Sequence, residues 1–177
     1  MTATQEHVVL LSDDGRPIGT ARKSDVHHEH TPLHLAFSCY VLDDAGRLLV
    51  TRRAWSKTTW PGAWTNTCCG HPAPGEDVED AVRRRLRQEL GLEVSDLRAV
   101  LPDFRYRAVM DDGVVENEVC PVYVAHCADP GSLAPDPDEV AEHEWVHWAR
   151  FRDDAMSGLR EVSPWCRLQL DALPPVL

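Results

Sequence analysis

A thiol, a pair of carboxylates and a set of imidazoles are the groups in this chain whose types and spacing point to chemistry. Cys69 runs directly into Gly70 and His71 in CCGHP, Glu116 and Glu118 alternate in VVENEVCPVY, and HHEHTPLH carries His27, His28, His30 and His34. On a strand both glutamates project from one face, where two like charges need a compensating cation. A divalent metal supplies one, and imidazole with carboxylate suits manganese, zinc or magnesium without choosing among them. His71, an early histidine and the glutamates lie far apart in sequence, so three segments must converge on one ion. Chemistry alone does not choose among the four histidines of the early cluster.

A second constellation is the stretch GHPAPGEDVEDAVRRRLRQELGL from Gly70 to Leu92. Between Glu76 and Leu92, Val78, Ala81, Val82, Leu86 and Leu90 recur at helical spacing, which predicts a helix that stops at Gly91. Arg85 and Glu89 then stand one turn apart on the same side, a guanidinium beside a metal-binding carboxylate. Of the 18 basic residues only Lys23 and Lys57 are lysines, and both sit in local basic islands, Arg22-Lys23 and Arg52-Arg53 with Lys57. The net charge of -11 works against nucleic acid and anionic membrane as partners, while such islands suit a compact polyanion such as diphosphate.

These groups need a scaffold. HVVLLS and PIGTA around DDGR read as a hairpin, LAFSCYVLD and LLVTRR around DDAGR as a second one, and FRYRAVM and VVENEVCPVYVAHC around DDG as a third. EHEWVHW reads as a further strand, and the remainder, including SPWCRLQLDAL from Ser163, as helix. Strands, helix, strands and then helices argue against a doubly wound parallel sheet. The expected class is α/β (α+β), a mixed sheet sandwich with flanking helices. At 177 residues the expectation is a single domain over 1–177, with a catalytic core over 23–170 and flexible ends at 1–6 and 174–177. No secretory signal opens the chain and no apolar run is long enough for a bilayer, so a cytoplasmic protein with free thiols at its six cysteines is expected.

Gly70, Glu76, Arg84, Leu86, Glu89, Gly91 and Leu92 reproduce the signature box of the Nudix superfamily, and the chain resembles that superfamily there. Arg85 and Gln88 depart from it, standing where its hydrolases carry metal-binding glutamates, which disfavours hydrolysis. From Lys23 to Trp165 the chain further resembles the type I isopentenyl diphosphate isomerases, through HTPLHLAFSCY, LLVTRRAWSKTTWPGAWTNTCCGHP, PDFRYRA, VENEVCPVY and SPW. The resemblance implies a Nudix-like fold and a metal site formed by His27, His34, His71, Glu116 and Glu118, with manganese, magnesium or zinc bound. It implies Cys69 and Glu118 as the catalytic acid/base pair, Tyr106 as the hydrogen-bond partner of the glutamate, and Trp165 as the indole facing the reacting carbons. Diphosphate contacts carry over to Lys23, Arg53, Lys57 and Arg85, with Glu89 reaching a magnesium ion that bridges the substrate diphosphate.

The implied reaction interconverts isopentenyl and dimethylallyl diphosphate through a tertiary cation, in isoprenoid biosynthesis. The implied partner is a small diphosphate, with no nucleic acid or membrane and with the chain a monomer or weak homo-oligomer. The competing reading is a Nudix hydrolase of a nucleoside diphosphate derivative, against which Arg85 and Gln88 count.

Overall fold

The computed structural model describes residues 5–177. The expected flexible end at 1–6 therefore falls largely outside the described residues. In chain order the elements are β1 (His7–Leu11), β2 (Pro17–Arg22), α1 (Lys23–Val26), β3 (His34–Leu35), β4 (Phe37–Asp43), β5 (Arg47–Arg53), β6 (Trp64–Thr65) and β7 (Cys68–Gly70). They continue with α2 (Val78–Leu90), β8 (Ser95–Leu101), β9 (Arg105–Val109), β10 (Val115–Val119), β11 (Val122–Cys127), β12 (Val140–His147), α3 (Trp148–Met156) and α4 (Pro164–Ala172). One sheet has the order β2-β1-β3-β10-β9, and the other β12-β5-β4-β11-β8, with β6 on β5 and β7 on β4. This is the mixed sheet arrangement with flanking helices that the sequence pattern called for.

Two stretches that read as single strands are each divided between the sheets. LAFSCYVLD parts at Ala36, so that β3 belongs to the first sheet and β4 to the second. VVENEVCPVYVAHC parts at Cys120 and Pro121, giving β10 and β11. Proline has no N–H for a ladder, which makes Pro121 a natural breaking point. The two breaks lie side by side: β3 and β10 are parallel with His34 opposite Glu118, and β4 and β11 are parallel with Ser38 opposite Val122. The backbone bonds Ala36 N–H to Val119 O (2.9 Å) and Ser38 N–H to Pro121 O (3.1 Å) carry the pairing across the seam. His34, Ser38, Glu118 and Cys120 are brought together there.

β4 is buried on both faces and accordingly reads as an almost unbroken apolar run. Tyr40 points into a core with Leu48, Val122, Phe151, Trp165 and Leu170, whereas Cys39 and Val41 face Leu49, Val82, Leu86 and Leu90. The second group includes the apolar stripe of α2. That helix begins at Asp77, whose carboxylate accepts from Glu79 N–H at 2.9 Å, and ends at Gly91, whose φ of 65° only glycine adopts without strain. The edge strand β8 and the four-residue α1 had no sequence signal; β8 is largely exposed and so lacks a marked apolar alternation. At the other end, in 174–177, Trp148 Nε1 donates to Pro175 O at 2.9 Å and Leu177 packs against the core. Among the described residues no helix is long and apolar enough to cross a membrane.

Candidate active site

The seam opens into a cavity of about 760 Å³ whose walls come from both sheets, α2 and α4. Every expected site residue except His34 lines it: Cys69, Glu118, Tyr106 and Trp165; Lys23, Arg53, Lys57 and Arg85; and His27, His71, Glu116 and Glu89. His34 is fully buried just behind the wall.

Of the early histidines, His27 and His34 share one cluster. His27, His34, His71 and Glu118 each place one ligand atom within 4.8 Å of all the others. His28 instead accepts a hydrogen bond from His30 N–H at 3.0 Å. His34 Nδ1 lies 2.9 Å from Pro32 O, a contact in which it must be the donor, so in the neutral ring the lone pair is on Nε2; burial opposes a charge on this imidazole, but its contact with Glu118 raises it above the ordinary value. Burial, with His71 beside it, pushes His27 down to about 3, and burial also lowers His71 despite Glu118. The His27 and His71 imidazoles are thus neutral near neutral pH, the form that binds a metal. His27 Nε2 is buried with no hydrogen-bond partner, and the Nε2 atoms of His34 and His71 both crowd one oxygen of Glu118, an arrangement that a cation among them would remedy. The donor set therefore fits a divalent ion.

Glu118 Oε1 sits 2.9 Å from His71 Nε2 and 3.2 Å from His34 Nε2, while Oε2 accepts from the Tyr106 hydroxyl at 2.8 Å. Tyr106 is the direct cross-strand neighbour of Glu118 in the β9–β10 pair. Burial opposes the charge of Glu118, but its contacts with His34 and His71 hold it well below the ordinary carboxylate range. Glu116 stands apart from the group of four. Its Oε2 lies 2.5 Å from the same hydroxyl, whose one proton can serve only one of the two carboxylates at a time, and burial followed by the charge of Glu118 pushes Glu116 up to about 7.

Cys69 reaches the cavity from the other sheet. Period-2 alternation along β7 separates the adjacent thiols: Cys68 packs with Phe37 and Leu86, and Cys69 packs on the side of Tyr106 and Trp165. Cys69 Sγ donates to Asn66 Oδ1 at 3.2 Å and lies 3.4 Å from Ser38 Oγ. Burial pushes its thiol up to about 11, so it is protonated at neutral pH. Trp165 is 2% exposed, with its indole N–H on Asn66 Oδ1 at 3.3 Å and its ring 6.0 Å from that of Tyr106 and edge-on to Trp60 at 5.5 Å.

The basic groups form a wetter end of the cavity. Lys23 pairs with Glu6 at 2.6 Å, Lys57 with Glu139, and Arg85 with Glu89 and, at 3.4 Å, Glu139. Arg53 donates through Nε and Nη2 to Thr59 O at 3.0 and 2.8 Å and lies 5.3 Å over the Trp165 ring. Glu6 and Glu139 escaped sequence reasoning, since no spacing relates them to the cations they meet. Asn66, Ser38 and Gln169 escaped it too, because buried polar side chains carry no signal until their neighbours are known.

A NUDIX domain model matches residues 32–166. The isopentenyl-diphosphate Delta-isomerase of Mycolicibacterium vanbaalenii is 62% identical over 172 residues, 97% of this chain and 93% of that protein. The enzyme of the same name from Saccharopolyspora erythraea is 56% identical over 168 residues, 95% and 86% of the respective chains. The chain belongs to the isopentenyl-diphosphate Delta-isomerase family. Its fold is shared more widely: a crystal structure from Deinococcus radiodurans superposes with a TM-score of 0.72 at 19% identity, covering 94% of this chain and 98% of the other. A MutT NUDIX hydrolase from Burkholderia pseudomallei does so with a TM-score of 0.60 at 25% identity, covering 80% and 98%.

Within this isomerase family member the signature box serves architecture. Arg84 clasps Glu76 through two bonds of 2.7 and 2.8 Å, and Glu76 accepts from Ala73 N–H at 2.8 Å, fixing the loop before α2. A Cβ on Gly70 would stand 2.8 Å from Phe37 Cζ and 3.0 Å from Arg85 Cγ, so the close approach of β7 to α2 demands glycine. Arg85 turns its guanidinium to the cavity beside Glu89.

Proposed function

We propose that this chain interconverts isopentenyl diphosphate and dimethylallyl diphosphate, with Cys69 and Glu118 exchanging protons with the five-carbon skeleton. The observation that carries the reading is that this thiol and this carboxylate, from different sheets, line one cavity whose far end is basic. An alkene is a very weak base, so the proton donor has to be held close to it in a site screened from water. One group of the pair gives a proton to the terminal methylene carbon, and a tertiary cation forms at the adjacent carbon. The other group then takes a proton from the carbon next to the oxygen-bearing one, and that C–H electron pair becomes the new double bond. Cys69 protonated and Glu118 ionised means the pair enters the cycle with one proton between them, as such an exchange requires.

His27, His34, His71 and Glu118 would hold a divalent ion, manganese, magnesium or zinc, whose charge would fix the Glu118 carboxylate and tune its acidity. Glu116, which lies beside the Tyr106 hydroxyl with Glu118, would join them on reorientation. Trp165 offers the cation an aromatic face and no lone pair to trap it, a contribution of about 2 kcal/mol when desolvated. Lys23, Arg53, Lys57 and Arg85 would grip the diphosphate, with Glu89 reaching a magnesium ion carried on it. That grip supplies binding energy remote from the reacting carbons.

Incubation with isopentenyl diphosphate in deuterated water, followed by proton NMR, tests the reading. Deuterated dimethylallyl diphosphate is the expected product. Release of phosphate or pyrophosphate without isomer would instead support a hydrolase.

A further inference from the structure

Gln169 and Ser38 are fully buried polar side chains that neither proton transfer nor diphosphate binding has used. Burying an amide and a hydroxyl is costly unless both find partners, and here the partners lead to the catalytic sulfur. Gln169 Oε1 accepts from the Tyr40 hydroxyl at 2.9 Å, which leaves Nε2 to donate to Ser38 Oγ at 2.8 Å. With Ser38 Oγ accepting from Gln169, its one proton goes to one of two sulfurs, Cys69 and Cys120, each at 3.4 Å; a Cys120 S–H donated to the second lone pair of the oxygen leaves that proton to Cys69. The Cys69 S–H points the other way, to Asn66 Oδ1. Asn66 is itself anchored, its Nδ2 donating to Cys39 O at 3.0 Å and Cys68 O at 2.9 Å.

The sulfur thus has a donor on one side and an acceptor on the other. A reversed Gln169 amide would present its carbonyl to Ser38, draw the hydroxyl proton away from the sulfur and leave one side of Cys69 unheld. Gln169 also lies one helical turn beyond Trp165 on α4, and Trp165 donates to the same Asn66 oxygen as Cys69. One helix therefore carries both the indole facing the hydrocarbon and the amide that braces the thiol.

We propose that Gln169, acting through Ser38, is a positioning residue that fixes the Cys69 sulfur against the substrate hydrocarbon. This rests on the isomerase reading above.

Steady-state isomerisation of isopentenyl diphosphate by the metal-loaded wild type, Ser38→Ala, Gln169→Leu and the double variant tests it, with melting temperatures recorded for each. Each single change is expected to lower kcat about tenfold, the loss of one buried hydrogen bond, and to leave KM within about twofold because the diphosphate is held elsewhere. The double variant should also lose only about tenfold, since two links of one chain do not add. Ser38→Ala removes a single oxygen and keeps the fold even if Gln169→Leu does not. Full kcat in Ser38→Ala, a KM that rises as kcat falls, or losses that multiply to about a hundredfold in the double variant would each overturn the proposal. A wild type that does not isomerise would sink the isomerase reading itself, a result distinct from an active wild type with unaffected variants.

Discussion

The two ends of the cavity are built on opposite principles. At the proposed reacting end Cys69, Asn66, Trp165, Tyr106 and Glu118 are held by short-range hydrogen bonds in a largely buried setting, and their geometry is set before substrate arrives. At the other end Lys23 and Glu6 keep 31% and 49% of their side-chain exposure and Lys57 and Glu139 keep 24% and 23%, while the Arg85–Glu89 pair is nearly buried. Preorganisation matters where charge develops in the transition state, whereas a ligand that arrives with its own charges can displace loosely held carboxylates. Changes at the dry end should therefore appear in kcat, and changes at the wet end in KM.

The strongest test of that division is Cys69→Ala, which removes the proposed acid/base group and should cut kcat by about a thousandfold with little change in KM. Cys68→Ser, one residue away on the opposite face, should by contrast stay within about threefold of wild type, because it lies outside the proton path. Equal losses in the two would erase the distinction between the faces of β7.

Chelation comes next. Removing the metal should lower activity about a hundredfold or more, with recovery on adding back manganese, magnesium or zinc, and atomic emission of purified protein would identify the ion retained. The metal-free protein should also become acid-sensitive. The unfolded chain takes up a proton at His27 near its ordinary value of 6.5, whereas the folded chain refuses it until about 3. This contribution to stability is full above 6.5 and drains away as pH falls from there towards 3, so melting temperature measured across that range should drop.

Trp165→Leu should cost about thirtyfold in kcat, the equivalent of a desolvated cation–π contact of about 2 kcal/mol, and leave KM nearly unchanged. Lys57→Met is expected to have the smallest effect on chemistry: KM should rise about tenfold while kcat holds, as measured by initial rates at varied isopentenyl diphosphate. A collapse of kcat in Lys57→Met would mean that the wet end also orients the reacting carbons.

The sequence was most informative where a residue's role depends on local spacing. Alternation placed Glu116 and Glu118 on one face, and the stripe of α2 set Arg85 beside Glu89 with Gly91 as the stop. What could not be read was the seam. Nothing in LAFSCYVLD announces that Leu35 and Phe37 belong to different sheets, because an apolar run is compatible with burial on either side of a break. The choice of His27 over His28 and His30 likewise depends on how α1 delivers the chain to the metal cluster. Glu139 and Gln169 act on Lys57 and Ser38 across 82 and 131 residues of sequence, a separation that only tertiary packing closes.

The most direct test of the central claim is a crystal structure of the metal-loaded Cys69→Ala variant with isopentenyl diphosphate bound. The account predicts a hydrocarbon lying between the β-carbon of residue 69 and the Glu118 carboxylate, with its diphosphate among Lys23, Arg53, Lys57 and Arg85. A chain that lay with both groups on one side of it, or that pointed its hydrocarbon away from them, would contradict it.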